Sequence, residues 1–128
     1  MNEQINKERV NDTAKLIMHR LIARKLGRDP SLVERAKDAL GHSAEHFRHH
    51  SFVQDWNELL DLPVSEIRHR LTSRDEDMTR LRLSSPFVLA QGVNFEDEAL
   101  RHRIWRAAKR ITIRSMVHEH ADELRITA

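Results

Sequence analysis

Between Arg101 and Arg114 the chain places six cations, Arg101, Arg103, Arg106, Lys109, Arg110 and Arg114, and no acid. Arg103, Arg106, Arg110 and Arg114 follow steps of three, four and four, a spacing that aligns side chains along one face of an α-helix. The stripe is about one and a half nanometres long, from the rise per helical residue. Guanidinium groups offer paired planar donors to oxyanions, so the stripe suits nucleic-acid phosphates, and it equally suits an acidic protein surface. The competing reading is that these cations pair inside the chain, with Asp75, Glu76 and Asp77 or with Glu96, Asp97 and Glu98.

Other chemistry finds less footing. His42, His46, His49 and His50 form the densest histidine group, and His46 and His50 stand four apart, able to face one ion on a helix. A His-Glu-x-x-His zinc pattern is missing around Glu45 and His46, as is a third ligand, and His118-Glu119-His120 is no better. No metal site is expected, and these histidines read as exposed side chains on a polar segment. There is no glycine-rich phosphate loop, no Gly-x-Ser-x-Gly elbow and no cysteine. Asp75, Glu76 and Asp77 are more simply carboxylates favoured at a helix start. A non-enzymatic protein without a cofactor is expected.

The elements that must carry these residues are helical. Of 128 residues 39% are hydrophobic and 33% charged, with three Gly, three Pro and no Tyr, a profile poor in sheet and tight-turn formers. The expectation is an all-α, single-domain bundle of about five to seven helices over residues 1–128. Absence of cysteine fits a reducing compartment, residues 1–6 lack a secretory pattern, and no stretch is long and apolar enough to span a membrane, so a cytoplasmic address without a membrane partner is expected. The formal charge of +2 is spread almost evenly over the two halves, which makes the basic run at residues 101–114 the local exception.

Apolar periodicity predicts a first helix over residues 6–26, ended by Gly27 in a left-handed conformation. Asp29 and Pro30 start a second over residues 30–40, with Gly41 as its stop. Residues 43–50 form a short helix anchored by Phe47. Ser51 with Gln54 makes a capping box before Phe52, Val53, Trp56, Leu59 and Leu60. Pro63 opens a helix carrying Val64, Ile67 and Leu71, and Ser73 with Glu76 caps another carrying Met78, Leu81 and Leu83. Residues 87–93 are an apolar connector. Asn94 caps the long basic C-terminal helix, residues 94–119, which buries Leu100, Ile104, Ala107 or Ala108, and Ile111.

Residues 22–36 resemble the helix-turn-helix motif of DNA-binding regulators, with Ala23, then Gly27 after three residues, then Val33 after five. The resemblance implies close helix contact at Ala23, a turn at Gly27 and packing by Val33. Arg28 stands where that family has an apolar residue, and the outward positions Ser31, Glu34, Arg35, Lys37 and Asp38 sum to no net charge, unlike a groove-reading helix. The run Asp55-Trp56-Asn57-Glu58-Leu59-Leu60-Asp61-Leu62-Pro63, with Leu71-Thr72-Ser73 and Leu81-Arg82-Leu83-Ser84-Ser85-Pro86-Phe87, resembles small helical antitoxins of bacterial toxin–antitoxin modules over about a quarter of the chain. It implies a protein that masks a toxin and represses its own operon, with Ser85, Pro86 and Phe87 as a partner contact. The leading expectation is thus an antitoxin-like inhibitor or regulator that binds a partner protein. The alternative is a nucleic-acid-binding protein or transcriptional regulator using Arg101 to Arg114. A third is an assembly subunit that forms a homo-oligomer through residues 87–93.

Overall fold

The computed structural model describes residues 6–47, 51–90, 95 and 97–127. Among these residues the chain is all-α, with seven α-helices and one 3-10 turn: α1 (Lys7–Arg28), α2 (Leu32–Phe47), α3 (Ser51–Leu60), α4 (Val64–Leu71), α5 (Glu76–Leu81), the 3-10 turn (Arg82–Ser84), α6 (Pro86–Leu89) and α7 (Glu98–Thr127). α1 is the hub, packing against α7, α4 and the 3-10 turn, while α2 packs against α3 and α6. One apolar core joins them through Ile22, Leu26, Leu32, Trp56, Ile67, Leu71, Met78 and Phe87. Trp56 and Phe87 meet edge to face at its centre, with ring centroids 6.2 Å apart. The Trp56 indole N–H donates to Leu81 O and Ser84 Oγ, both at 3.2 Å, so the ring is buried without stranding its donor.

Both glycine stops fall inside helices. α1 continues through Gly27 to Arg28, and Asp29 is its cap. What Gly27 supplies is room: a Cβ there would stand 2.9 Å from Cζ of Arg68, whose Nε donates to Ala23 O at 2.8 Å. Ala23 and Gly27, the small residues of the helix-turn-helix-like pattern, therefore admit a side chain of α4. Gly41 lies within α2, which runs on to Phe47 and absorbs the described part of the separate short helix expected over residues 43–50. A glycine inside a helix weakens it without having to end it, and α2 continues through Gly41 and His42 although both are exposed.

Further along, Ser51 belongs to α3 itself, and Gln54 donates forward to Glu58. The cap of α5 is Asp75, which accepts from Met78 N at 2.8 Å, while Ser73 donates its hydroxyl to Asp75. After Leu81 the helix tightens into the 3-10 turn, and the tighter winding exchanges two faces. Leu83, expected inside, is 50% exposed, and Arg82 is buried. The guanidinium of Arg82 ties this turn to the α4–α5 connection by donating to Leu71 O, Ser73 O and Thr79 Oγ1. Its Nε has no partner among the described residues, and burial pushes its pKa down while Asp75 and Asp12 oppose the shift.

α7 starts at Glu98 and ends at Thr127, later at both ends than residues 94–119. Asn94 lies outside the described residues, and Asp97 supplies the cap, its Oδ1 accepting from Ala99 N at 2.9 Å. Residues 86–89 form α6, with Ser85 as N-cap, so the apolar connector begins as a helical turn. Phe87 and Ala90 are buried in this chain's own core, which removes them from the self-association surface expected of residues 87–93.

Gly41 is helical, exposed and has nothing within 4 Å of a built Cβ. Gly41→Ala should therefore stabilise the protein by about 0.5–1 kcal/mol, through reduced freedom of the unfolded chain and better helix propensity. An unchanged or lowered urea midpoint would show that α2 is interrupted at Gly41.

Candidate functional site

α7 is seated on α1 through a row of apolar or small side chains. Ile104, Ala108 and Thr112 follow steps of four and are all buried, with Leu100 packed at the near end. Thr112 takes the place expected for Ile111, which is 42% exposed, and its hydroxyl lies 3.5 Å from that of Thr13. Arg9 reaches Glu119 through two hydrogen bonds of 3.2 and 3.0 Å and also donates to Ser115 Oγ. Arg9 near Glu119, Thr13 near Thr112, and Met18 sharing a groove with Glu98 and His102 show that the two helices run antiparallel. Both partners of the Arg9–Glu119 pair are substantially exposed, so it adds well under 1 kcal/mol and serves more to set register.

With that row inward, the cations fall outward. Arg101, Arg103, Arg106, Lys109, Arg110 and Arg114 are all exposed. None of the six forms an ion pair with a described residue. Of the acids considered as internal partners, Asp75 and Asp97 cap helices, Glu76 faces Arg80 at 3.6 Å and Glu98 lies 4.0 Å from His102, while Asp77 pairs with no cation among the described residues. Residue 96 lies outside the described residues. The formal charge of +2 thus divides into +6 on residues 101–114 and −4 on the rest of the chain. Arg106 and Arg110, and Arg110 and Arg114, are like charges four residues apart, each pair costing a few tenths of a kcal/mol that a bound anion would remove.

The other predicted contacts are placed differently. Ser85, Pro86 and Phe87 are buried, so in this fold they are core residues and present no surface to a partner. On α2, Arg35 pairs with Asp29 and Lys37 with Glu34 and Asp61, which leaves the outward face of the helix-turn-helix-like segment with its cations engaged. Of the histidine group, His42 is exposed, while the His46 side chain and residues 49 and 50 lie outside the described residues. Among the described residues no group of three or more His, Cys, Asp or Glu is placed to hold a metal ion.

One pair of chemically capable residues went unread in the sequence. His19 is fully buried; its Nδ1 lies 2.6 Å from Lys15 O and its Nε2 2.7 Å from Ser85 Oγ. A carbonyl oxygen only accepts, so Nδ1 carries the proton and the Ser85 hydroxyl donates to Nε2. Ser85 Oγ in turn accepts from Phe87 N at 3.2 Å. This is the hydrogen-bond order of a base and its nucleophile, yet both groups are buried, and neither lines the three grooves formed by α1 with α7, by α2 and by α3 with α5. The pair ties α1 to the start of α6. The available signal was position, since His19 stands three, four and seven residues before Ile22, Ala23 and Leu26, all buried.

No protein-family model matches this chain, and no curated protein or solved structure matches it.

Burial lowers the His19 pKa from 6.5 to about 4, the hydrogen bond to Lys15 O opposing the shift only in part. The folded state holds the neutral ring, so His19 contributes full stability above pH 6.5 and loses it as pH falls from 6.5 toward 4. The loss should approach roughly 3 kcal/mol. Urea midpoints measured from pH 7 to pH 4.5 should fall more steeply for the wild type than for His19→Phe. Parallel curves would assign the acid sensitivity to other groups.

Proposed function

We propose that this protein is a non-enzymatic nucleic-acid-binding protein that grips the phosphate backbone with the cationic face of α7. The observation that carries this reading is the set of six exposed cations without an ion pair to any described residue. A fold that wanted those charges for stability would place acids within reach. Instead α7 itself carries no acid between Glu98 and Glu119. Arg103, Arg106, Arg110 and Arg114 lie along one ridge of a long helix, and the ridge matches the spacing of a few successive phosphates.

A second reading has its own observation. Segments that carry the antitoxin-like resemblance come together around one groove of about 570 Å³, where Asp55, Glu58, Leu59 and Leu62 face Leu81 and Ser84. A partner protein of a toxin–antitoxin type would dock there, on an apolar lining where Asp55, Glu58 and Asp77 stand beside Arg70 and Arg80.

The two readings separate on salt and charge. Affinity for arbitrary duplex DNA should fall with salt at a slope of about −3 to −4 in a double logarithmic plot, the value for roughly four neutralised phosphates. R106E/R110E/R114E alters only exposed positions, so its helix content and melting should stay close to wild type while DNA retention is lost. Undiminished duplex binding by that folded variant would sink the nucleic-acid reading.

A further inference from the structure

Beside the arginine stripe, α7 carries a second row with different chemistry. Arg101, Trp105 and Lys109 follow one another at steps of four, so a tryptophan stands between two cations on one line of the helix surface. Trp105 is 41% exposed, and neither a hydrogen bond nor a ring contact to a described residue engages it. Trp105 shares the outer surface of α7 with the exposed Ile111, Ile113 and Val117, but it is the aromatic ring among them and the one flanked by Arg101 and Lys109 at steps of four. It also lines a groove of about 440 Å³ between α1 and α7, whose walls are Asn11, Lys15 and Met18 on one side and Arg101, Trp105 and Arg106 on the other. The acid lining this groove is Glu98, 4.0 Å from His102 Nε2, against the cations Lys15, Arg101 and Arg106. The surroundings therefore stay cationic around an aromatic platform.

We propose that this groove binds a splayed base of single-stranded nucleic acid, which stacks on Trp105 while Arg101, Arg106 and Lys15 hold the adjoining phosphates. This inference rests on the nucleic-acid reading of α7 and deepens it by naming the strand state. Arg106 belongs both to the groove and to the arginine stripe, so a backbone tracking Arg114, Arg110 and Arg106 arrives at the groove mouth. In duplex DNA every base is paired and stacked, and its faces are closed to an indole. In a single strand the faces are free, and stacking on an aromatic ring is tolerant of base identity. Charge complementarity selects a polyanion, and the exposed indole selects one that carries planar rings. An acidic peptide satisfies only the first of these conditions.

The test uses the full chain and its two tryptophans, of which Trp56 is fully buried and Trp105 is not. Oligothymidylate of about a dozen nucleotides should quench the emission of the wild type, and the Trp105→Phe variant, which keeps only Trp56 as indole, should show no quenching. Labelled-strand anisotropy should show Trp105→Phe binding within a few-fold of wild type, because a ring remains. Trp105→Ala should lower single-strand affinity by roughly tenfold relative to duplex affinity. Unchanged strand preference in Trp105→Ala would overturn the groove assignment, as would equal quenching of the wild type by polyglutamate. If R106E/R110E/R114E loses both strand and duplex while Trp105→Ala keeps its preference, the groove fails and the cationic grip stands. A wild type that binds neither nucleic acid overturns both.

Discussion

The buried hydrogen bond between His19 and Ser85 is the contact on which the arrangement of the other elements rests. It joins α1 to the segment that contains the 3-10 turn and α6, across sixty-six residues of sequence. Such a bond stabilises only while both groups are neutral and each finds its remaining partner, and a stranded polar group at this depth would cost about 1–3 kcal/mol. Lys15 O and Phe87 N complete the set. Around it the same logic repeats: Trp56 finds Leu81 O and Ser84 Oγ, and Arg82 finds the carbonyls of Leu71 and Ser73. This polar region specifies how α3, α4 and the 3-10 turn sit on α1 more sharply than apolar contact alone would.

With α1 fixed by that region, its contact with α7 needs no buried charge. Ile104, Ala108 and Thr112 are small or apolar, and Ala108 allows close approach of the two helices. The charged contribution is Arg9 with Glu119, near the outer end of the interface. A helix of 30 residues held by one narrow row has most of its circumference free. The cationic ridge and the Arg101, Trp105, Lys109 row share that free circumference with the exposed Ile111, Ile113 and Val117.

The helical class and most of the core were readable because 3.6-residue periodicity survives in Val10, Ala14, Ile22, Leu26 and in Trp56, Leu59, Leu60. Boundaries marked by glycine were misread, because a glycine ends a helix only when neighbouring packing allows, and at Gly27 the missing side chain serves Arg68. The exchange of Leu83 for Arg82 was hidden because a switch from α to 3-10 winding leaves no periodic trace in three residues. Ser85, Pro86 and Phe87 were assigned to a surface by resemblance, and their burial follows from the cap that Ser85 gives to α6 and the ring contact of Phe87 with Trp56. The cationic residues of the candidate site needed only spacing to be found. What spacing alone could not decide was whether acids on other elements reach them, since that depends on where helix starts point.

Those helix starts explain the charge segregation. Asp29, Asp75 and Asp97 each accept a backbone N–H at the beginning of a helix or turn. Asp29 is held below the usual carboxylate range first by the Ser31 hydroxyl, and Asp75 first by Met78 N. Asp29 and Asp75 cannot swing toward α7 without giving up these cap bonds, a larger loss than an exposed ion pair returns, and Asp97 is spent on the start of α7 itself. Capping therefore wins, and the cations of α7 stay unneutralised within a protein whose remaining charge is negative. At physiological ionic strength a Debye length of about 8 Å lets neighbouring cations on the ridge act together while screening them from distant acids. The result is a positive charge concentrated on residues 101–114 of a protein whose net charge is only +2.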